Sequence, residues 1–114
     1  MQFALLIYQN WKWIEDGIPE AELAAVGEEY AKIAATPGLV SNLPLGSPKD
    51  ATTVRVHDGA TTTSEGTVGG PSATAGSVYL FEADDKAAAI DFASRIPAAR
   101  LGGAIEVRPV GQYW

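Results

Sequence analysis

His57 is the single histidine of this 114-residue chain, and the chain has no cysteine. Imidazole changes charge close to neutral pH, which makes His57 a candidate for general acid–base work. Such a base needs a partner that fixes its tautomer, and on an extended strand the adjoining Asp58 points to the opposite face. The plainer reading is a polar residue at the end of a hairpin. Glu65 is the second candidate acid or base; with His57 it would move protons without a cofactor. Arg55 and Arg108 fall in strand-like segments, where each could clamp a carboxylate or phenolate through its planar fork. Arg95 sits at a helix C-terminus, where a cation is favoured without any ligand. Glu106 shares a strand face with Arg108, so the two either line a polar cavity or pair at a solvated edge. Trp11 and Trp13 straddle Lys12 and would form an aromatic rim for a flat ligand, with Tyr79 a further aromatic contact. Together with Tyr8, Tyr113 and Trp114 they would cover a seam between two copies, the preferred reading because the paired sheets call for a dimer in any case. One histidine with scattered carboxylates has no metal-ligand spacing, so no metal is expected. The glycines at 66, 69, 70 and 76 lack the strand–glycine–helix context of a phosphate loop, and no cofactor is expected.

The elements that must carry these residues follow from the patterning. Phe3–Tyr8 is an apolar run fit for a strand buried on both faces. Gln9 to Gly17 reads as a polar connection. Pro19 opens a helix, with Glu20 and Glu22 near the positive end of its dipole. Leu23, Val26, Tyr30 and Ile33 recur at helical spacing as a buried stripe. Gly27 costs that helix about 1 kcal/mol relative to Ala, which points to close packing there. Thr36-Pro37-Gly38 ends it. Leu39–Leu43 is a weaker strand, followed by a loop to Asp50. Thr52–His57, the Asp58-Gly59 turn and Ala60–Ser64 make a hairpin. Glu65 to Gly76 is a surface loop. Ser77–Glu82 is a strand, and Asp84 or Asp85 caps a helix to about Ile96 with Ala89, Ile90, Ala93 and Ile96 inward. Ala104–Val110 is the last strand.

Eight Lys+Arg against 14 Asp+Glu give a net charge of −6, which argues against a nucleic-acid partner. Apolar residues make up 46% and charged residues 19%, the balance of a folded globule. No apolar run approaches the roughly 20 residues of a membrane span. The opening MQFALLIYQN has no cationic segment and reads as a strand, so the cytoplasm is the expected setting. One domain over residues 1–114 is expected. The order β-α-β-β-β-β-α-β, with the hairpin set aside, is the ferredoxin-like split β-α-β arrangement on an antiparallel sheet, of α+β class. Two helices cover one face of such a sheet. Yet Ala4, Leu6 and Tyr8 oppose Phe3, Leu5 and Ile7, and Val78 and Leu80 oppose Tyr79 and Phe81. Both faces are apolar, so a second copy packed sheet to sheet is expected.

Several segments carry a resemblance: ATTVRVHDG from Ala51, Tyr79 to Asp84, IDFASRIPAAR from Ile90 and IEVRPV from Ile105. They resemble the YCII-related superfamily, in particular its DGPF-type branch, and Phe3–Tyr8 and Pro19-Glu20 fit as well. The resemblance implies a dimeric α+β barrel. At the place of Asp-Gly-Pro-Phe stands Glu65-Gly66-Thr67-Val68, then Gly69-Gly70-Pro71-Ser72. Glu for Asp keeps an acid but moves it by one methylene. The wider superfamily carries a His–Asp pair thought to be catalytic. Here Ile96 takes the place of that Asp, and no His precedes the first helix. DGPF-type proteins accompany extracytoplasmic-function sigma factors or biosynthetic clusters. The expected protein is a cytoplasmic homodimer that binds a small aromatic or anionic organic molecule. The pocket is expected beside Trp11 or Trp13 and the Glu65–Gly76 loop, with Arg55, Tyr79 and Arg108 as further contacts. The alternatives are a cofactor-independent enzyme (lyase, cyclase or monooxygenase-like) using Glu65 and His57, or an interaction module serving a transcriptional regulator.

Overall fold

The computed structural model describes residues 1–70 and 74–111, and of Trp13 the backbone alone. The chain runs β1 (Gln2–Tyr8), α1 (Trp11–Asp16), α2 (Glu20–Ala34), β2 (Leu39–Pro44), β3 (Thr52–His57), β4 (Ala60–Glu65), β5 (Ala75–Glu82), α3 (Lys86–Ser94) and β6 (Ala104–Pro109). Short 3-10 turns stand at Pro48–Asp50 and Pro97–Ala99. The class is α+β with antiparallel sheets: four strands in the order β2-β5-β1-β6, and β3 with β4 as a separate pair. No described helix is long and apolar enough to cross a membrane.

β1 is central because its apolar run can be buried from both sides. It pairs antiparallel with β5, placing Leu5 opposite Tyr79, and with β6, placing Leu5 opposite Val107. Phe3, Leu5 and Ile7 are wholly buried and join Tyr79, Phe81, Ile33, Ala89, Phe92 and Ile96 in the core. Asp85 caps α3, its Oδ1 accepting the Ala88 N–H at 2.9 Å. The Phe92 ring stacks on Phe81 with centroids 4.1 Å apart. α3 departs from expectation at Ile90, which is 51% exposed, while Phe92 points inward. Ile90 lies about 100° round the helix from Ala89, outside the arc that Ala89, Phe92 and Ala93 share.

The other face of the sheet carries two rows. Ser41, Leu80, Ala4 and Arg108 align across the four strands, and so do Leu43, Val78, Leu6 and Glu106. Ala4, Leu6, Tyr8, Val78 and Leu80 are half-buried there.

Three expectations about the first half need correction. Gln9 to Gly17 is not a plain connection: Trp11–Asp16 is helical. The Asn10 carbonyl accepts the Ile14 N–H at 3.1 Å, and Gly17, at φ +92, ends the turn. The stripe on α2 is not buried as a whole. Ile33 is in the core, Val26 and Tyr30 are half-buried, and Leu23 is 53% exposed. Gly27 does not mark close packing either, since a Cβ built there meets no atom within 4 Å.

In the β3–β4 hairpin Asp58 (φ +50) and Gly59 (φ +77) form the two-residue turn. Both φ values are positive, which matches the twist of the flanking strands. Val54 and Val56 are exposed. The hairpin is held at its base. The Gly66 N–H donates to Ala51 O at 2.8 Å, and the buried Thr53 hydroxyl donates to Gly66 O at 2.8 Å.

Candidate functional site

A cleft of about 530 Å³ opens where three segments meet. α1 contributes Trp11, Ile14 and Glu15; the corner before β3 contributes Ser47, Pro48 and Lys49; the end of the hairpin contributes Glu65, Gly66 and Thr67. Each wall is tied down locally. The Trp11 indole N–H donates to Thr74 O at 3.0 Å. Its ring lies over Gly76, where a Cβ would come within 3.3 Å of Trp11 Cη2 and Cζ2. Only a glycine at 76 lets β5 pass this close beneath the indole. The Thr74 hydroxyl reaches Gly70 O at 2.6 Å and Thr67 Oγ1 at 3.1 Å, so the turn after Glu65 is cross-linked to the start of β5. Ser47 Oγ accepts the Lys49 N–H at 3.2 Å and, with Pro48 following, starts the 3-10 turn that presents Lys49.

The cleft thus combines an indole, a proline ring and an isoleucine with two carboxylates, Glu15 and Glu65, and one ammonium, Lys49. An aromatic or apolar ring suits the Trp11–Ile14 side. The carboxylates accept hydrogen bonds from hydroxyl or amine groups, and Lys49 donates to an anion.

Trp11 and Ile14 also line a second cavity, of about 360 Å³. Ile18, Leu101 and, from α2, Leu23, Val26, Gly27 and Tyr30 line it as well. Gln9 Nε2 donates to the Tyr30 hydroxyl at 3.3 Å across it. Its lining holds no charged residue.

Of the residues singled out in the sequence, Trp11 and Glu65 come together in the cleft. The Trp13 side chain, Pro71, Ser72, Tyr113 and Trp114 lie outside the described residues. His57 and Glu65 do not meet within one chain. The register pairs Glu65 with Thr52 at the hairpin base and His57 with Ala60 at its tip, five rungs and roughly 17 Å away. Asp58 does not point away from His57: the turn brings its Oδ2 to 3.2 Å from His57 Nε2, with both side chains about nine-tenths exposed. Arg55 is exposed on β3, away from the cleft lining, and its carbonyl accepts the Thr62 hydroxyl at 3.4 Å. Arg108 lies on the half-open sheet face with its Nε 3.8 Å from Glu106 Oε2, so the pair takes the ion-pair alternative. Tyr79 is 3% exposed in the core, where burial, aided by the neighbouring Tyr30 phenol, pushes its hydroxyl up to about 12.

Sequence reasoning missed Lys49, Glu15 and Ile14. The Ser47-Pro48 pair, a capping residue followed by a proline in the first turn, was the available signal for the Lys49 corner. Six helical residues in α1 are too few to show a period.

No curated protein matches the chain. A family model described as the YCII-related domain matches residues 1–113, taking in both sheets, all three helices and every segment of the cleft. The chain belongs to the YCII-related family.

Proposed function

We propose that the protein is a cytoplasmic homodimer that binds a small aromatic or anionic organic molecule in the cleft between Trp11 and Glu65. The observation that carries this reading is the composition of the cleft: a pinned indole faces two carboxylates and a lysine across a space of small-molecule size. A ring bearing a carboxylate or hydroxyl group uses all of these features at once.

The homodimer is supported by the second face of the sheet. Leu80, Ala4, Val78 and Leu6 form its apolar centre, with Arg108 and Glu106 at the β6 edge. Arg108 and Glu106 pair with each other at 3.8 Å at the edge of this face, which leaves its centre apolar and open to a second copy. The strand order β2-β5-β1-β6, with the hairpin as an insertion, supports a ferredoxin-like split β-α-β unit closing as a dimeric α+β barrel, and the chain's place in the DGPF-type branch goes with that reading.

A second reading, a cofactor-independent enzyme, has one observation in its favour: Glu65 lines the cleft, and its carboxylate could take a proton from a bound substrate. His57 of the same chain stands too far off to share that work.

Native mass spectrometry of protein purified from its own host tests the proposal. The expected spectrum is a dimer carrying an organic molecule of a few hundred daltons, absent from Trp11→Ala and Glu65→Ala preparations. A monomer overturns the assembly. Retention of the same bound molecule by both variants overturns the site.

A further inference from the structure

We infer that the second cavity, beyond Trp11, receives an uncharged hydrocarbon arm of the molecule held in the cleft, so that the ligand is amphipathic. This rests on the cleft reading above and adds the chemical class of what is bound.

Four observations carry it. Trp11 and Ile14 line both spaces, so the cavities adjoin along one side of α1. Their chemistry is divided: Glu15, Lys49 and Glu65 belong to the cleft, and no charged side chain lines the second, half-open space. The polar groups that do reach the chamber are engaged, the Gln9 amide with the Tyr30 hydroxyl and the Trp11 indole with Thr74 O. The chamber therefore offers hydrocarbon contact. Finally, the apolar stripe of α2 surrounds this space without filling it. Leu23 is 53% exposed, and Gly27, in mid-helix, faces nothing within 4 Å of its Cβ position. A glycine there serves no close contact; its effect is to leave room. About 360 Å³ is ample for an alkyl chain.

The probes are benzoate and its 4-methyl, 4-butyl and 4-hexyl derivatives, titrated calorimetrically into the wild-type protein and into Gly27→Leu. The leucine enters open space on a helix that gains propensity from the change. Leu23→Trp, plugging the chamber from another position, is the second variant. In the wild type, affinity should rise roughly fourfold per added methylene, the value of burying one CH₂. In both variants the dependence on chain length should vanish while benzoate and its 4-methyl derivative bind as before. Equal affinity along the series in the wild type overturns this inference and leaves the cleft standing. A chain-length dependence that survives both variants places the arm elsewhere and also overturns it. Failure of every probe to bind the wild type overturns the cleft reading and this inference together.

Discussion

Of the nine residues of α3, Ala89, Phe92 and Ala93 are buried; of the fifteen of α2, Ile33 alone is. Both helices carry one-sided apolar patterns, and both touch the same core. α3 meets the sheet where Phe81 offers a ring to stack on, and a close-packed layer results. α2 meets it through Ile33 and the half-buried Tyr30 toward its C-terminal end, while Leu23 and Val26 line open space together with Leu101. A second tie is polar. Arg100 Nη2 lies 2.6 Å from Glu29 Oε1 and holds the Glu29 carboxyl below the usual carboxylate range. Amphipathic spacing thus tells which side of a helix turns inward. Whether that side becomes core or the wall of a cavity depends on what the rest of the chain sets against it.

The contrast can be broken by substitution. Phe92→Ala should cost about 3–5 kcal/mol, the usual loss for a buried aromatic. Leu23→Ala, on the exposed part of the α2 stripe, should stay within about 0.5 kcal/mol of wild type. Urea unfolding at one fixed protein concentration reads both, and similar losses would abolish the distinction between the two helices. A second measurement uses pH. Tyr79 belongs to the packed side, with its hydroxyl pushed from 10.0 to about 12 in the folded state. Below pH 10 the phenol is neutral in both states and the stability is fully present. As pH climbs from 10 through 12, the unfolded chain loses the proton first and the folded state loses ground, by up to roughly 2–3 kcal/mol. Tyr79→Phe should flatten that alkaline decline; an unchanged profile would remove Tyr79 as its source. A smaller effect than those of Phe92 and Tyr79 runs in the opposite direction. Gly27→Ala should stabilise by about 0.5–1 kcal/mol, because the helix gains propensity and the new methyl meets nothing. A loss there would mean that the space beside α2 is already filled.

Much of the strand framework was legible in local pattern. The two-faced run of β1, the Asp58-Gly59 turn and the β-branched Thr52–His57 segment each dictate an element with little outside help. Asp85 was legible as a cap down to a choice of two residues. Burial along α2 was not, because a period of 3.6 residues names a face and leaves its neighbour open. Part of the candidate site was legible: Trp11 and Glu65 were singled out, while Ile14 and Glu15 lie on a helix too short to show a period, and Lys49 is marked only by the Ser47-Pro48 cap before it. The pairing of His57 with Glu65 as one acid–base couple fails within a chain for a simple reason. A two-residue turn places the ends of its strands far from the tip, and Glu65 sits at one such end.

Trp11 is a wall common to two rooms, fastened along one edge by Thr74 and Gly76. A guest in either room that shifts the indole changes the free energy of occupying the other. Thermodynamic linkage requires the two effects to be equal: whatever factor one guest imposes on the affinity of its neighbour is returned unchanged. For the amphipathic ligand proposed above, its ring and its hydrocarbon arm would both bear on this one side chain.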